Sequence, residues 1–201
     1  MVSNEECYSP TAVLSNQISV QVNPANNYYT NFDGINDLIQ IPAKTNYNLG
    51  SGDFTIEAEV SINPSADMYE PILSRRLKTG SVIDGFMLYE YSGQLLFQIN
   101  NVNYYSDRYG NIRDNFLHKI AVVRQGVVLK FYLDGTWIGS ANTSASINTS
   151  AALYAGYDPY DQFFFNGTVS MYIYGAWRKI LANSIRPISL PMQQACWATG
   201  N

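Results

Sequence analysis

The chain has 201 residues, 14 % of them charged, a net charge of −4 and 16 tyrosines. The acidic balance, with an isoelectric point near 4.9, excludes a phosphate-backbone partner, because nucleic-acid binding draws on a basic stripe. No stretch approaches the ~18 apolar residues of a membrane span, and the length suits one domain able to bury its core without metal or cross-link.

The first ten residues, MVSNEECYSP, carry no basic region followed by an apolar run, so the pattern of a secretory signal is missing. Residues 1–27 read as a polar extension in which Ile18, Val20 and Val22 alternate up to Pro24. This is either an edge strand or an arm that pairs with a neighbour. Cys7 and Cys196 lie near opposite ends. They are either two free thiols or a disulfide, which loop entropy would make worth roughly 4–5 kcal/mol.

A first core strand is expected within 28–42, and a turn cluster (NYNLGSGD) at 46–53. Strand 55–62 alternates Ile56, Ala58, Val60 and Ile62 inward with Thr55, Glu57, Glu59 and Ser61 on the other face. A short strand at 71–75 and a turn-rich connection at 77–84 follow, with Arg75 and Arg76 read as strand-end surface charges. Residues 86–91 and 94–99 form a hairpin about Ser92-Gly93. Residues 100–116 are long, polar and Tyr-rich, with room for one short strand.

The segment 114–140, DNFLHKIAVVRQGVVLKFYLDGTWIGS, reads as three strands joined by turns at Gln125-Gly126 and Asp134-Gly135. Its middle strand alternates Val127, Leu129, Phe131 and Leu133 with Val128, Lys130 and Tyr132. That period of two commits the domain to an antiparallel sheet with one buried face, and so to a second sheet covering it. Residues 141–150 are small and polar, 153–156 a strand, 157–162 an exposed loop, and the last core strand lies within 163–177. A short helical turn is expected at 178–184, and 185–201, with Pro187 and Pro191, form an extended tail.

The segment HKIAVVRQGVVLKFYLDGTWIGS resembles the core of the laminin-G-like jelly rolls of the concanavalin A-like lectin/glucanase superfamily. FDGINDLIQIP, FTIEAEVSINP, PILSRR, GFMLYEYSGQLLFQI, NTSAALYAGYD and FFNGTVSMYIYGAW follow the family in order. The resemblance spans about residues 30–180. It implies an all-β, antiparallel two-sheet jelly-roll sandwich over 28–184, but no single function, because this fold hosts lectins, adhesion modules, hydrolases and structural domains.

Four sets of residues could carry chemistry. Glu57 and Glu59 share a strand face, as paired glycosidase carboxyls do. The family's three-acid ladder is broken at Thr55, however, and two solvated carboxylates are the simpler reading. His118, the only histidine, has no nucleophile partner at a recognisable spacing. The resemblance places Asp33 and Asp37 as candidate calcium ligands, with Asp158 and Asp161 a second acidic pair. Calcium takes six to eight oxygens, and Ser170 stands where relatives often carry an acid. Finally, Tyr104, Tyr105 and Tyr109 in one loop, and Tyr157, Asp158, Tyr160 and Asp161 in another, combine ring faces with polar groups, a composition suited to glycan or protein contacts. The sequons at Asn142, Asn148 and Asn166 matter only on a glycosylating route.

The sequence therefore predicts a lectin-like module that binds a glycan or a glycan-bearing surface through end-loop aromatics, without catalysis or membrane insertion. Its expected setting is a larger assembly such as a virion or bacterial surface. The alternatives are a structural protein docking on neighbouring subunits and a glycan-cleaving hydrolase using Glu57 and Glu59.

Overall fold

In the computed structural model, residues 27–175 are described continuously, with strand segments at 13–14, 20–23 and 178–179 beside them. Cys7, Cys196, Ile18 and Pro24 lie outside the described residues, as does 180–184. No helix among the described residues is long and apolar enough to cross a membrane.

The strands run β1 (Val13–Leu14), β2 (Val20–Asn23), β3 (Asn27–Asp33), β4 (Ile39–Ile41), β5 (Phe54–Ile62) and β6 (Tyr69–Thr79). β7 (Val82–Tyr91), β8 (Gln94–Ile99), β9 (Val102–Tyr105), β10 (His118–Gln125), β11 (Val128–Leu133) and β12 (Thr136–Asn142) follow. The last are β13 (Leu153–Ala155), β14 (Tyr157–Asp158), β15 (Phe163–Phe164), β16 (Asn166–Gly175) and β17 (Arg178–Lys179). All described pairings are antiparallel. One sheet, here sheet A, has the order β1-β4-β13-β6-β7-β8-β9. Sheet B has the order β12-β11-β10-β5-β16-β3-β2, with β17 also on β16, and β14-β15 form a separate hairpin. Val20–Asn23 is thus an edge strand, paired with β3.

The period-two pattern buries the expected residues. Ile56, Val60, Ile62, Val122, Leu129 and Phe131 of sheet B meet Leu73, Leu88, Leu95, Phe97, Ile99 and Leu153 of sheet A in one apolar cluster. Phe97 joins the layers, lying 5.8 Å from Phe54 and 5.7 Å from Phe86. The hairpin turns expected at Ser92-Gly93 and Asp134-Gly135 have positive φ at both residues (47° and 79°; 49° and 79°), which is type I′ geometry. Asn100-Asn101 makes a third such turn, φ 47° and 67°.

Four expectations are corrected. The β10–β11 turn is Gly126-Val127 rather than Gln125-Gly126, because Gln125 pairs with Val128; Val127 therefore leaves the core face and is exposed. Residues 71–75 and 77–84 are not a short strand and a connection but one long hairpin, β6–β7, closed by Gly80-Ser81. Arg178–Lys179 is a strand on β16, not a helical turn.

The fourth correction concerns Arg75 and Arg76, which are buried, not surface charges. Arg75 donates to the carbonyls of Ala151, Thr149 and Lys44 and to Asn48 Oδ1, at 2.7–3.1 Å. Arg124, also buried, donates to the carbonyls of Gly126, Ala145 and Thr143. Together the two guanidiniums tie the segment 143–151 to the sheet ends, beside the one large apolar side chain it contributes to the core, Ile147.

Candidate ligand-binding face

Side chains at alternate positions of sheet A point away from the core: Ser74, Arg76 and Lys78 on β6, Met87, Tyr89 and Tyr91 on β7, Leu96 and Gln98 on β8, Asn103 and Tyr105 on β9. Met87, Tyr89 and Leu96 are nevertheless buried, in a second apolar cluster flanked by Tyr69, Tyr91 and Phe163. The cover is the β14–β15 hairpin. Gly156, at φ +72°, swings the chain over: a Cβ there would come within 2.2 Å of the Phe32 ring, so only glycine makes this bend.

Asp158 anchors the hairpin. Arg76 Nε and Nη2 donate to its two oxygens at 2.8 and 2.5 Å, and Ser74 Oγ donates to it at 2.6 Å. Arg76 Nη2 also reaches Asp161 Oδ2 at 2.5 Å. The Tyr160 ring stands over both cations, 4.9 Å from Arg76 Cζ and 5.1 Å from Lys78 Nζ. Burial alone would raise the Asp158 pKa, but the Arg76 bonds outweigh it and hold the carboxyl below its ordinary range. Burial likewise opposes the charge on Arg76, and Asp158 and Asp161 reverse that, so its pKa is raised.

A hydrogen-bond relay leaves this cluster and crosses the sheet. Arg76 Nη1 donates to Gln98 Oε1 (2.7 Å), Gln98 Nε2 to Asn103 Oδ1 (2.7 Å), and Asn103 Nδ2 to the Tyr105 hydroxyl (3.0 Å). Guanidinium can only donate, so each amide in turn must present its oxygen inward and its NH₂ outward. The Tyr105 oxygen accepts, which leaves its own hydrogen for an outside acceptor. Alongside runs a ladder of rings. Phe163 and Tyr69 are 5.1 Å apart at 4°, Tyr69 and Tyr91 4.8 Å at 25°, and Tyr91 and Tyr105 6.2 Å at 50°. Tyr105, tilted at the open end of the ladder, is 41 % exposed.

Of the seven residues expected to contact ligand, Tyr105, Tyr160 and Asp161 reach solvent from this outer side of sheet A. Asp158 is fully buried, so its carboxylate is committed to Arg76 and Ser74 rather than offered outward. Tyr157 is half-buried and stacks on Phe164 at 4.6 Å. Tyr104, opposite Phe97 on β9's inner side, donates to Thr143 Oγ1 at 2.9 Å. Tyr109 packs against the main core. The residues that sequence reasoning missed are Arg76, Gln98 and Asn103 of the relay and Tyr69, Tyr91 and Phe163 of the ladder. Their one sequence signal is the recurrence of large aromatics at outward strand positions.

The remaining candidates lie elsewhere in the fold. Asp33 Oδ1 accepts the Ile35 and Asn36 amides at 2.8 and 3.3 Å, and Asp37 Oδ2 accepts the Asp33 amide at 3.0 Å, which builds the 33–37 turn. Among the described residues no group of three or more His, Cys, Asp or Glu is placed to hold a metal. Glu59 accepts from Tyr29 at 2.8 Å and pairs with Lys119 at 3.3 Å, while Glu57 is exposed. His118 sits between Asp134 (2.8 Å) and Asp114 (3.3 Å).

A family model described as the concanavalin A-like lectin/glucanases superfamily matches residues 32–174. The chain belongs to that superfamily. Its sandwich overlays three solved structures of low identity, a likeness of fold. One is domain 4 of a Geobacillus stearothermophilus extracellular arabinanase, in complex with arabinotriose (TM-score 0.60, 12 % identity, covering 86 % of this chain and 85 % of that one). Another is mouse laminin α1 domains LG4-5 (0.60, 18 %, 79 % and 44 %). The third is the botulinum neurotoxin serotype D ligand binding domain, in complex with N-acetylneuraminic acid (0.61, 11 %, 89 % and 45 %). The superfamily chain thus spans under half of the laminin and toxin fragments. A comparison with curated protein sequences finds no match.

Proposed function

We propose that this superfamily member is a non-catalytic, lectin-like binding module that holds a glycan, or a glycan-bearing surface, against the outer face of sheet A. The observation that carries this reading is Tyr105, an exposed ring whose hydroxyl is made a donor by the relay from Arg76. Sugars pair apolar C–H faces with oxygen acceptors, which is what such a group receives. Tyr160 and Asp161 add a second ring and an acceptor on the same face. The similar structures include domains with arabinotriose and with N-acetylneuraminic acid bound, which supports a sugar as ligand. Display on a virion or bacterial surface is the setting this function implies.

A glycan array followed by titration of the strongest hits tests the reading. Binding is expected for the native chain and a loss of tenfold or more in Tyr105→Ala, with Asp161→Ala weaker than native. Hits unaffected by both substitutions would remove the site. A second reading, docking on protein neighbours, draws on Phe116 and Leu117, which are 71 % and 49 % exposed at one loop tip. Binding that Tyr105→Ala spares but Phe116→Ser abolishes would favour it.

A further inference from the structure

Two arginines of the 106–117 loop have opposite surroundings. Arg113 is used up: it donates to Glu90 Oε2 at 2.8 and 2.6 Å and to the carbonyls of Ala66 and Met68 at 2.8 and 3.0 Å. Glu90, fully buried, also accepts the Gly93 amide at 2.7 Å. Arg113 therefore fixes the walls of an open groove of about 470 Å³, which Met68, Ser92, Arg108 and Asn111 also line. Backbone forms the rest, where Gly93 lies so close to the Gly110 carbonyl that a Cβ would come within 2.7 Å of its oxygen.

Arg108 is the free one. It is exposed, its single hydrogen bond goes to the Ser92 carbonyl at 2.9 Å, and no carboxylate among the described residues pairs with it. Asn111 turns its oxygen to the Arg113 amide at 2.9 Å, leaving its NH₂ as a donor. No acidic side chain lines the groove. In a protein of net charge −4, a concave site rich in donors and empty of carboxylates is a local inversion. Met68, 55 % exposed, adds an apolar wall. Two of its lining residues, Met68 and Ser92, are chain neighbours of Tyr69 and Tyr91 in the ring ladder.

From this geometry we infer that the groove binds the carboxylate of an acidic sugar, with the planar Arg108 fork as its bidentate partner and Asn111 as a further donor. The inference rests on the glycan reading and deepens it. It names the ligand as a carboxylate-bearing glycan whose charged residue sits at Arg108 and whose neighbouring units run toward Tyr105.

The test is calorimetric titration of the full chain with sialyllactose and with oligogalacturonate, each against its methyl ester, at low and high NaCl. At least one acid is expected to bind about tenfold more tightly than its ester. The preference should shrink in high salt, vanish in Arg108→Gln and persist in part in Arg108→Lys. Arg108 is exposed, so thermal unfolding of these variants should match the native chain. Acid and ester binding equally, both through Tyr105, would overturn the inference and leave the glycan reading standing. A preference surviving in Arg108→Gln, or array hits confined to neutral sugars, would overturn it as well. A chain that binds no sugar at all would remove both readings together.

Discussion

Arg76 grips both oxygens of Asp158, and neither side chain meets solvent: their exposures are 2 % and 0 %. The pair joins β6 to the covering hairpin, 82 residues apart in sequence. Removing one member leaves the other charged and enclosed. Asp158→Ala is therefore expected to destabilise the fold by about 3–5 kcal/mol, read by urea unfolding. The Asp158 pKa is lowered in the fold, so its contribution is complete above the ordinary Asp value of about 3.9. That contribution is lost as pH falls through the still lower folded value. The native chain should thus lose this stability only in strong acid, and Asp158→Asn should lack that component.

Glu70 behaves oppositely. It lies across from Glu90 and is fully buried; its Oε2 accepts the Asn166 amide at 2.7 Å, while Oε1 has no partner. Burial drives its pKa up to about 8, against the Asn166 bond and Arg113. Between the ordinary glutamate value of about 4.3 and 8 the folded chain holds a proton that the unfolded chain has released. Stability from this group therefore declines as pH rises across that window and is level above it. Glu70→Gln keeps an acceptor for Asn166 and should flatten the slope, gaining roughly 1–3 kcal/mol near pH 8.5. Paired unfolding curves at pH 5 and 8.5 check this.

Arg75 has four acceptors and, among the described residues, no counter-ion, and burial lowers its pKa. Arg75→Met would strand buried carbonyls of the 149–151 and 44–48 segments. A loss of at least about 3 kcal/mol is expected, or roughly 6–12 °C in Tm for a chain of this size. Calorimetry of the variant measures it; an unchanged Tm would refute the anchoring role.

His118 is a milder, pH-dependent clasp. Burial alone would lower its pKa, but the bonds to Asp134 and Asp114 dominate and raise it. The clasp is complete below the ordinary value of about 6.5 and weakens as pH rises through the raised one. Amide exchange at Phe116 and Leu117 should accelerate above that point in the native chain and show no such step in His118→Gln. As a partly exposed pair it is worth under about 1 kcal/mol.

The sandwich was legible because its signals are local. Strand alternation such as Ile56-Ala58-Val60-Ile62 and the dipeptides Ser92-Gly93 and Asp134-Gly135 state which face is buried and where the chain turns. β6 was misread because Ser74, Arg75 and Arg76 look like surface residues, and only partners 22 to 84 positions away reveal why they are inside. The candidate face was half legible for the same reason. Composition drew attention to two Tyr-bearing loops. Strand parity turned Tyr104 inward and Tyr105 outward, and the relay uniting Tyr105 with the hairpin runs through Gln98 and Asn103, which carry no motif.

That relay means the phenol at the rim takes its polarity from a cation three strands away. A relative that kept Tyr105 but replaced Arg76 would display the same ring with its proton free to swing toward Asn103. It would have the same shape at the surface and a different hydrogen-bond language. The selectivity of the proposed site can therefore be rewritten from inside, at buried positions such as Arg76 and Gln98.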